Sequence, residues 1–176
     1  PNMKIEDTGG HIDQLLRQTR AHHVQLSQMA DIKANMLLTV SMLVITFTAP
    51  HVLNPELRLP AILVCASCLA TVILAAYAVM PKIQLPGVNR PKPVRGPFFN
   101  LLFFGDFTNL SLEEFEREME QMIQDPAEVY RLQFREIYTM GTFLARQKYR
   151  FIRLAYTTFI TGLLASAIAL MISIMI

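Results

Sequence analysis

The sequence predicts an all-α integral membrane protein: a helical bundle of three transmembrane helices with a small helical cytoplasmic layer, assembled as an oligomer. Three observations predict it. Only 17% of the 176 residues are charged while 52% are hydrophobic, against about a quarter charged in an ordinary soluble domain. Three stretches are long and apolar enough for a hydrocarbon core of roughly 30 Å, which takes about 20 helical residues. The basic residues are unevenly shared among the segments joining those stretches. The same numbers exclude intrinsic disorder, and two cysteines, Cys65 and Cys68, are too few for a disulfide-stapled scaffold. A net charge of +2 is too small to make nucleic acid the main partner.

Residues 1–35 read as a cytoplasmic amphipathic helix, and 9–35 run directly into the first span. Ile12, Leu15, Leu16, Thr19, His22 or His23, Leu26, Met29 and Lys33 recur at three- and four-residue spacing, a seam that asks for a partner helix. Residues 36–80 form a hairpin of two spans, from about Asn35 to Leu53 and Leu59 to Met80, joined by a short turn among Pro50, Pro55 and Pro60. The first span is not a signal peptide, because residues 1–34 precede it and no small-residue cleavage site follows. Residues 81–150 form a cytoplasmic connector and helices. Pro81, Pro86, Pro91, Pro93 and Pro97 make 81–97 an extended, helix-hostile connector. FFNLLFFGDF (98–107) is apolar, turns at Gly105-Asp106, and either lies on the membrane surface or packs on the helices.

Two helix starts follow. Ser111 with Glu114 makes a capping box, and Asp125-Pro126-Ala127-Glu128 repeats the device with proline at the first helical position. From Pro126 one long helix is expected to continue through the third span, residues 151–176. Its stripe Tyr130, Phe134, Ile137, Gly141 and Leu144 should pack on the 9–35 helix, with Gly141 permitting close approach. Ala66-x3-Ala70, Gly162-x3-Ser166 and Ala165-x3-Ala169 are small-residue spacings that suit helix association, and oligomerisation would support so small a bundle.

Topology follows from charge. The 51–59 turn holds one basic residue, Arg58. The 82–150 segment holds ten: Lys82, Arg90, Lys92, Arg95, Arg117, Arg131, Arg135, Arg146, Lys148 and Arg150. The positive-inside rule places the N-terminus and 81–150 in the cytoplasm and the C-terminus outside. The chain begins at Pro1; methionine removal before proline accounts for that, and so does trimming of a longer chain that carried a sensor.

Gln28, Asp31, Asn35, Thr39, Met42 and Thr46 fall within roughly 80° on a helical wheel, a polar line descending from the cytoplasm into the bilayer. One reading is that Gln28, Asp31, Asn35, Thr39 and Thr46 line a pore or vestibule in an oligomer. The other is interhelical hydrogen bonding, with Asp31 beside Lys33 among the headgroups. Arg146, Lys148, Arg150 and Arg153 stand where the third span enters the membrane and read as residues snorkelling to anionic headgroups. Arg90, Lys92 and Arg95 suit a phosphate, or act simply as positive-inside charges. His22 and His23 with His11 or Asp31 make a poor metal site, since adjacent helical residues diverge by about 100°. Cys65-x-x-Cys68 has redox spacing but sits in an apolar helix, where core packing is the simpler account. No glycine-rich phosphate loop, serine elbow or HExxH motif is present, so neither an enzyme nor a cofactor is expected.

The run HHVQLSQMADIKANMLLTVSMLVI (22–45), then FFGDF (103–107), SLEEFEREM (111–119) and GTFLARQKYRFIRLAYTTFITGLL (141–164) resemble, in that order, the Pycsar transmembrane effector family. ADIKAN (30–35) and the K-Y-R step at 148–150 are the most specific parts. The resemblance implies a bacterial antiphage effector of the inner membrane. In that family a cyclase makes a cyclic pyrimidine mononucleotide on infection, and the effector then impairs membrane integrity. The chain departs from a self-sufficient sensor in having no cyclic-nucleotide-binding β-roll, so a nucleotide would bind the helical layer, between subunits. Candidate contacts are Arg20, Arg90, Lys92, Arg95, Arg131 and Arg135. The competing expectation is a non-conducting membrane scaffold that recruits a cytoplasmic partner through its helix seam.

Overall fold

The computed structural model describes residues 9–80 and 99–175, the side chains of 104 and 105 excepted. They are 88% helical and include no strand. The expected connector at 81–97, with Arg90, Lys92 and Arg95, lies outside the described residues. The helices are α1 (Gly10–Thr48), α2 (Arg58–Val79), α3 (Phe104–Phe107), α4 (Leu112–Ile123), α5 (Pro126–Phe143) and α6 (Arg150–Met175). A 3-10 turn at Ala49–Leu53 follows α1, and a π-helical turn at Leu144–Tyr149 joins α5 to α6. Three of these helical stretches, within Gly10–Leu53, Arg58–Val79 and Pro126–Met175, are long and apolar enough to cross a membrane. At 1.5 Å per residue, α2 alone is about 33 Å long.

The chain divides into two compact units, one of residues 25–80 and 143–176, the other of 1–24 and 81–142. In the first, α1, α2 and α6 meet through small side chains. The α1 face is Ala30, Ala34, Leu37 and Ser41; the α2 face is Ala61, Val64, Cys68, Thr71, Ala75 and Ala78. Both repeat at three and four residues, the period that keeps one stripe inward. Ala30, Ala34, Leu37, Ala75, Ala78, Ile152 and Ala155 form one continuous core. Small residues let backbones approach, which is what holds helices together where the surroundings are as apolar as the side chains. Gly162 shows how close: a Cβ there would lie 2.0 Å from the Cβ of Ser67. The α2–α6 pair is antiparallel. Ser166 Oγ donates to the Pro60 carbonyl at 2.9 Å and Ser173 Oγ to the Glu56 carbonyl at 2.6 Å, while Tyr77 and Phe151 pack edge-on at the other end with ring centroids 4.6 Å apart. Gly162 and Ser166, expected from their spacing to serve an interface between copies, are used inside the protomer.

In the second unit the capping box forms as the sequence predicts. The Glu114 amide donates to Ser111 Oγ at 3.2 Å, and the Ser111 amide donates to Glu114 Oε2 at 3.0 Å. The second cap forms only by half. Asp125 Oδ1 accepts from the Ala127 amide at 3.0 Å, but Glu128 turns to Arg131, whose Nη1 lies 2.6 Å away. Phe99 and Leu101 bury against Met122 and Leu132, so the stretch from Phe99 packs on the helices. Its Gly105-Asp106 step is not an open turn but part of α3. The first turns of α1 lie along α5: Tyr130 Oη donates to Asp13 Oδ1 at 2.8 Å, Arg20 pairs with Glu136, and His23 stands over Gly141. These contacts advance together along both helices, so the two run parallel.

Candidate membrane-conduit site

The polar line of α1 and its buried face occupy different sides of one cylinder. Measured from Gln28, Ala30, Ala34, Leu37 and Ser41 fall at about 180–240°, whereas Asn35, Thr39, Met42 and Thr46 fall within about 40° of zero. Gln28, Asn35, Thr39, Met42 and Thr46 are accordingly exposed. Leu38, Thr39, Met42, Leu43 and Thr46 form one open, shallow patch on the α1 surface. Thr39 Oγ1 donates to the Asn35 carbonyl at 3.0 Å and Thr46 Oγ1 to the Met42 carbonyl at 2.9 Å. Each hydroxyl hydrogen is therefore satisfied within the helix, while the oxygen still offers an acceptor to water. The Asn35 carboxamide has no partner among the described residues.

Asp31 departs from the line. It sits at about 300° on the same wheel, and Ser27 at about 260°, on the flank nearest the buried face. Both meet Lys148. Its Nζ lies 2.6 Å and 2.8 Å from the two Asp31 oxygens and 2.9 Å from Ser27 Oγ, so the ammonium donates to both side chains. Only 14% of the Lys148 side chain is exposed. Next to it, Tyr149 Oη donates to the Leu26 carbonyl at 3.1 Å. Asp31 pairs with Lys148, not Lys33, which points outward; and Lys148 turns inward, while Arg146, Arg150 and Arg153 are exposed.

Lys148 shares the face of buried Leu144 as residues i and i+4 do in any α-helix, and the i→i+5 turn brings Tyr149 to that face as well. Nothing in the sequence marks an extra residue in the turn. The pairing itself had a signal: Asp31 and Lys148 stand a few residues before the starts of the first and third spans, which enter from the same side and so reach the same depth.

Of the remaining candidates, Arg90, Lys92 and Arg95 lie outside the described residues. Arg20 is engaged by Glu136 and Arg131 by Glu128; Arg135 Nη1 donates to the Phe99 carbonyl at 3.4 Å. Among the described residues no three histidine, cysteine or acidic side chains converge as metal ligands. Cys65 and Cys68 are free thiols, Cys68 fully buried in the α2 face.

No curated protein and no solved structure matches the chain. A family model does, over residues 14–173, that of the Pycsar effector protein domain, and the match takes in every helix of the membrane core as well as the clamp at Asp31 and Lys148. Its three apolar helices, each long enough to cross a membrane, point to a membrane protein, and the chain belongs to the Pycsar effector family, whose role is that of an effector in antiphage defence.

Proposed function

We propose that the protein impairs the integrity of the bacterial inner membrane by assembling into a homo-oligomer in which the exposed polar line of α1 lines a water-filled path. A cyclic pyrimidine mononucleotide triggers it. The observation that carries this reading is the segregation of α1: a small-residue face is spent on α2 and α6, while Gln28, Asn35, Thr39 and Thr46 are left outward on the opposite side. An unpartnered carboxamide at membrane depth is costly against lipid, and such groups turn toward a bundle interior or water. A ring of copies would give Asn35 that surrounding. The positive-inside rule supports a cytoplasmic N-terminus and 81–150 segment, with the C-terminus outside.

The experiment is dye release from vesicles holding the purified protein, with cyclic mononucleotides and dinucleotides added separately. Release with one ligand, reduced when Asn35 and Thr39 are both replaced by Leu, is the expected result. Insertion and folding without release under any ligand would overturn the conduit in favour of a scaffold that acts through a partner protein.

A further inference from the structure

We propose that the π turn Leu144–Tyr149 is a two-register switch held in its wide form by the Lys148 clamp. A π turn is an α-helix with one residue too many, and it is rare because it is less favourable than the α turn it replaces. Something must hold it here. Two adjacent side chains supply that: Lys148 on Asp31 and Ser27, and Tyr149 on the Leu26 carbonyl. The acceptors, Leu26, Ser27 and Asp31, lie within about one and a half turns of α1.

The alternative register is available in the sequence. The α6 side is fixed on α2 by Gly162 against Ser67 and by the Ser166 and Ser173 hydroxyls. If the turn tightens to α, the residues before it rotate by about 100° relative to α6. The slot now filled by Leu144, 3% exposed, passes to Ala145, which is apolar and now exposed. Either residue can fill an apolar slot; the second register also requires α5 to give up the Tyr130–Asp13 and Arg20–Glu136 contacts. The clamp lies at Asp31, on the flank of the polar line proposed above, so a change of register reaches the residues that would border the path. The inference rests on that reading only for what the switch controls; the register change stands apart from it.

The test is hydrophilic thiol labelling of full-length protein in vesicles, on a background with Cys65→Ser and Cys68→Ala. With the clamp intact, Leu144→Cys should be protected and Ala145→Cys labelled. Adding Lys148→Met and Tyr149→Phe should invert the pattern, protecting position 145 and exposing 144. Asp31→Asn, which keeps the side chain's shape, should move both positions the same way to a smaller extent and serves if the double variant does not fold. An unchanged pattern in the folded variants would overturn the switch. Deleting Ala145 removes the surplus residue and leaves both flanking helices in register, so dye release from that variant should no longer respond to Lys148→Met. Inverted labelling without dye release from any variant would leave the switch standing and overturn the conduit; dye release with unchanged labelling would do the reverse.

Discussion

At the scale of the residue, charge is placed by local geometry that is partly readable. The Ser111–Glu114 pair depends on four consecutive positions and forms as predicted. The Ser111 backbone amide, then its hydroxyl, holds the Glu114 carboxyl below its ordinary value of 4.5. A folded-state value below the unfolded one means that the stabilisation is present above 4.5 and disappears as pH falls below it. Glu114→Gln should therefore flatten the acid-side loss of helix seen by circular dichroism as pH is stepped down through 4.5. Ser111→Ala should cost about 1 kcal/mol, the usual worth of an N-cap, read from thermal unfolding at neutral pH. Tyr130 is the mirror case. Its hydrogen bond to Asp13, aided by burial and the carboxylate's charge, pushes the phenol above its ordinary 10.0. That contribution is full below 10.0 and lost as pH rises beyond it. In a spectrophotometric titration, Tyr130→Phe should remove a tyrosinate step lying above 10.0. The second cap failed in part because Glu128 had a competitor, Arg131, three residues on, which a capping pattern does not weigh.

At the scale of the element, the long helices were legible, helix partners were less so, and short α3 (expected as a turn) was not. Periodicity announced the first part of α1, apolar length announced its span and α2, and the capping box announced α4. The small-residue spacings marked close helix approach correctly but not between whom: Gly162 meets Ser67 of the same chain. A spacing records how near a neighbour comes, and its identity depends on where the chain turns. Gly162→Ala puts a methyl on the Ser67 Cβ and should lower stability by about 1–3 kcal/mol, the range for overpacking. Ser67→Gly in the same chain should recover most of that loss in thermal unfolding of the detergent-solubilised protein. Gly10→Ala, which meets nothing within 4 Å, is the control and should leave the midpoint unchanged.

At the scale of the whole molecule, the division of α1 into an inward and an outward side predicts which positions meet water. On the cysteine-free background, Asn35→Cys, Thr39→Cys and Thr46→Cys should become reactive to a membrane-impermeant thiol reagent once the protein is triggered. Ala34→Cys and Ser41→Cys, on the buried face, should stay protected throughout. Reaction of the second set and not the first would place the path elsewhere in the bundle. The same wheel that grouped Asp31 with the polar line could not exclude it, because its position lies at the margin, where a partner on a neighbouring helix decides.

The sequence alone determined the number of apolar helices, the cap of α4, the continuity of α1 into its span and the family. All of these follow from periodicity, local hydrogen bonding or residue order, which act over a few turns of chain. Tertiary structure decided the rest: that Lys148 turns inward to Asp31, that Gly162 and Ser166 are consumed by α2, and that one surplus residue is stored between Leu144 and Tyr149. Each depends on residues about 100 positions apart meeting at one depth, and on a change of helical pitch that leaves composition and spacing untouched.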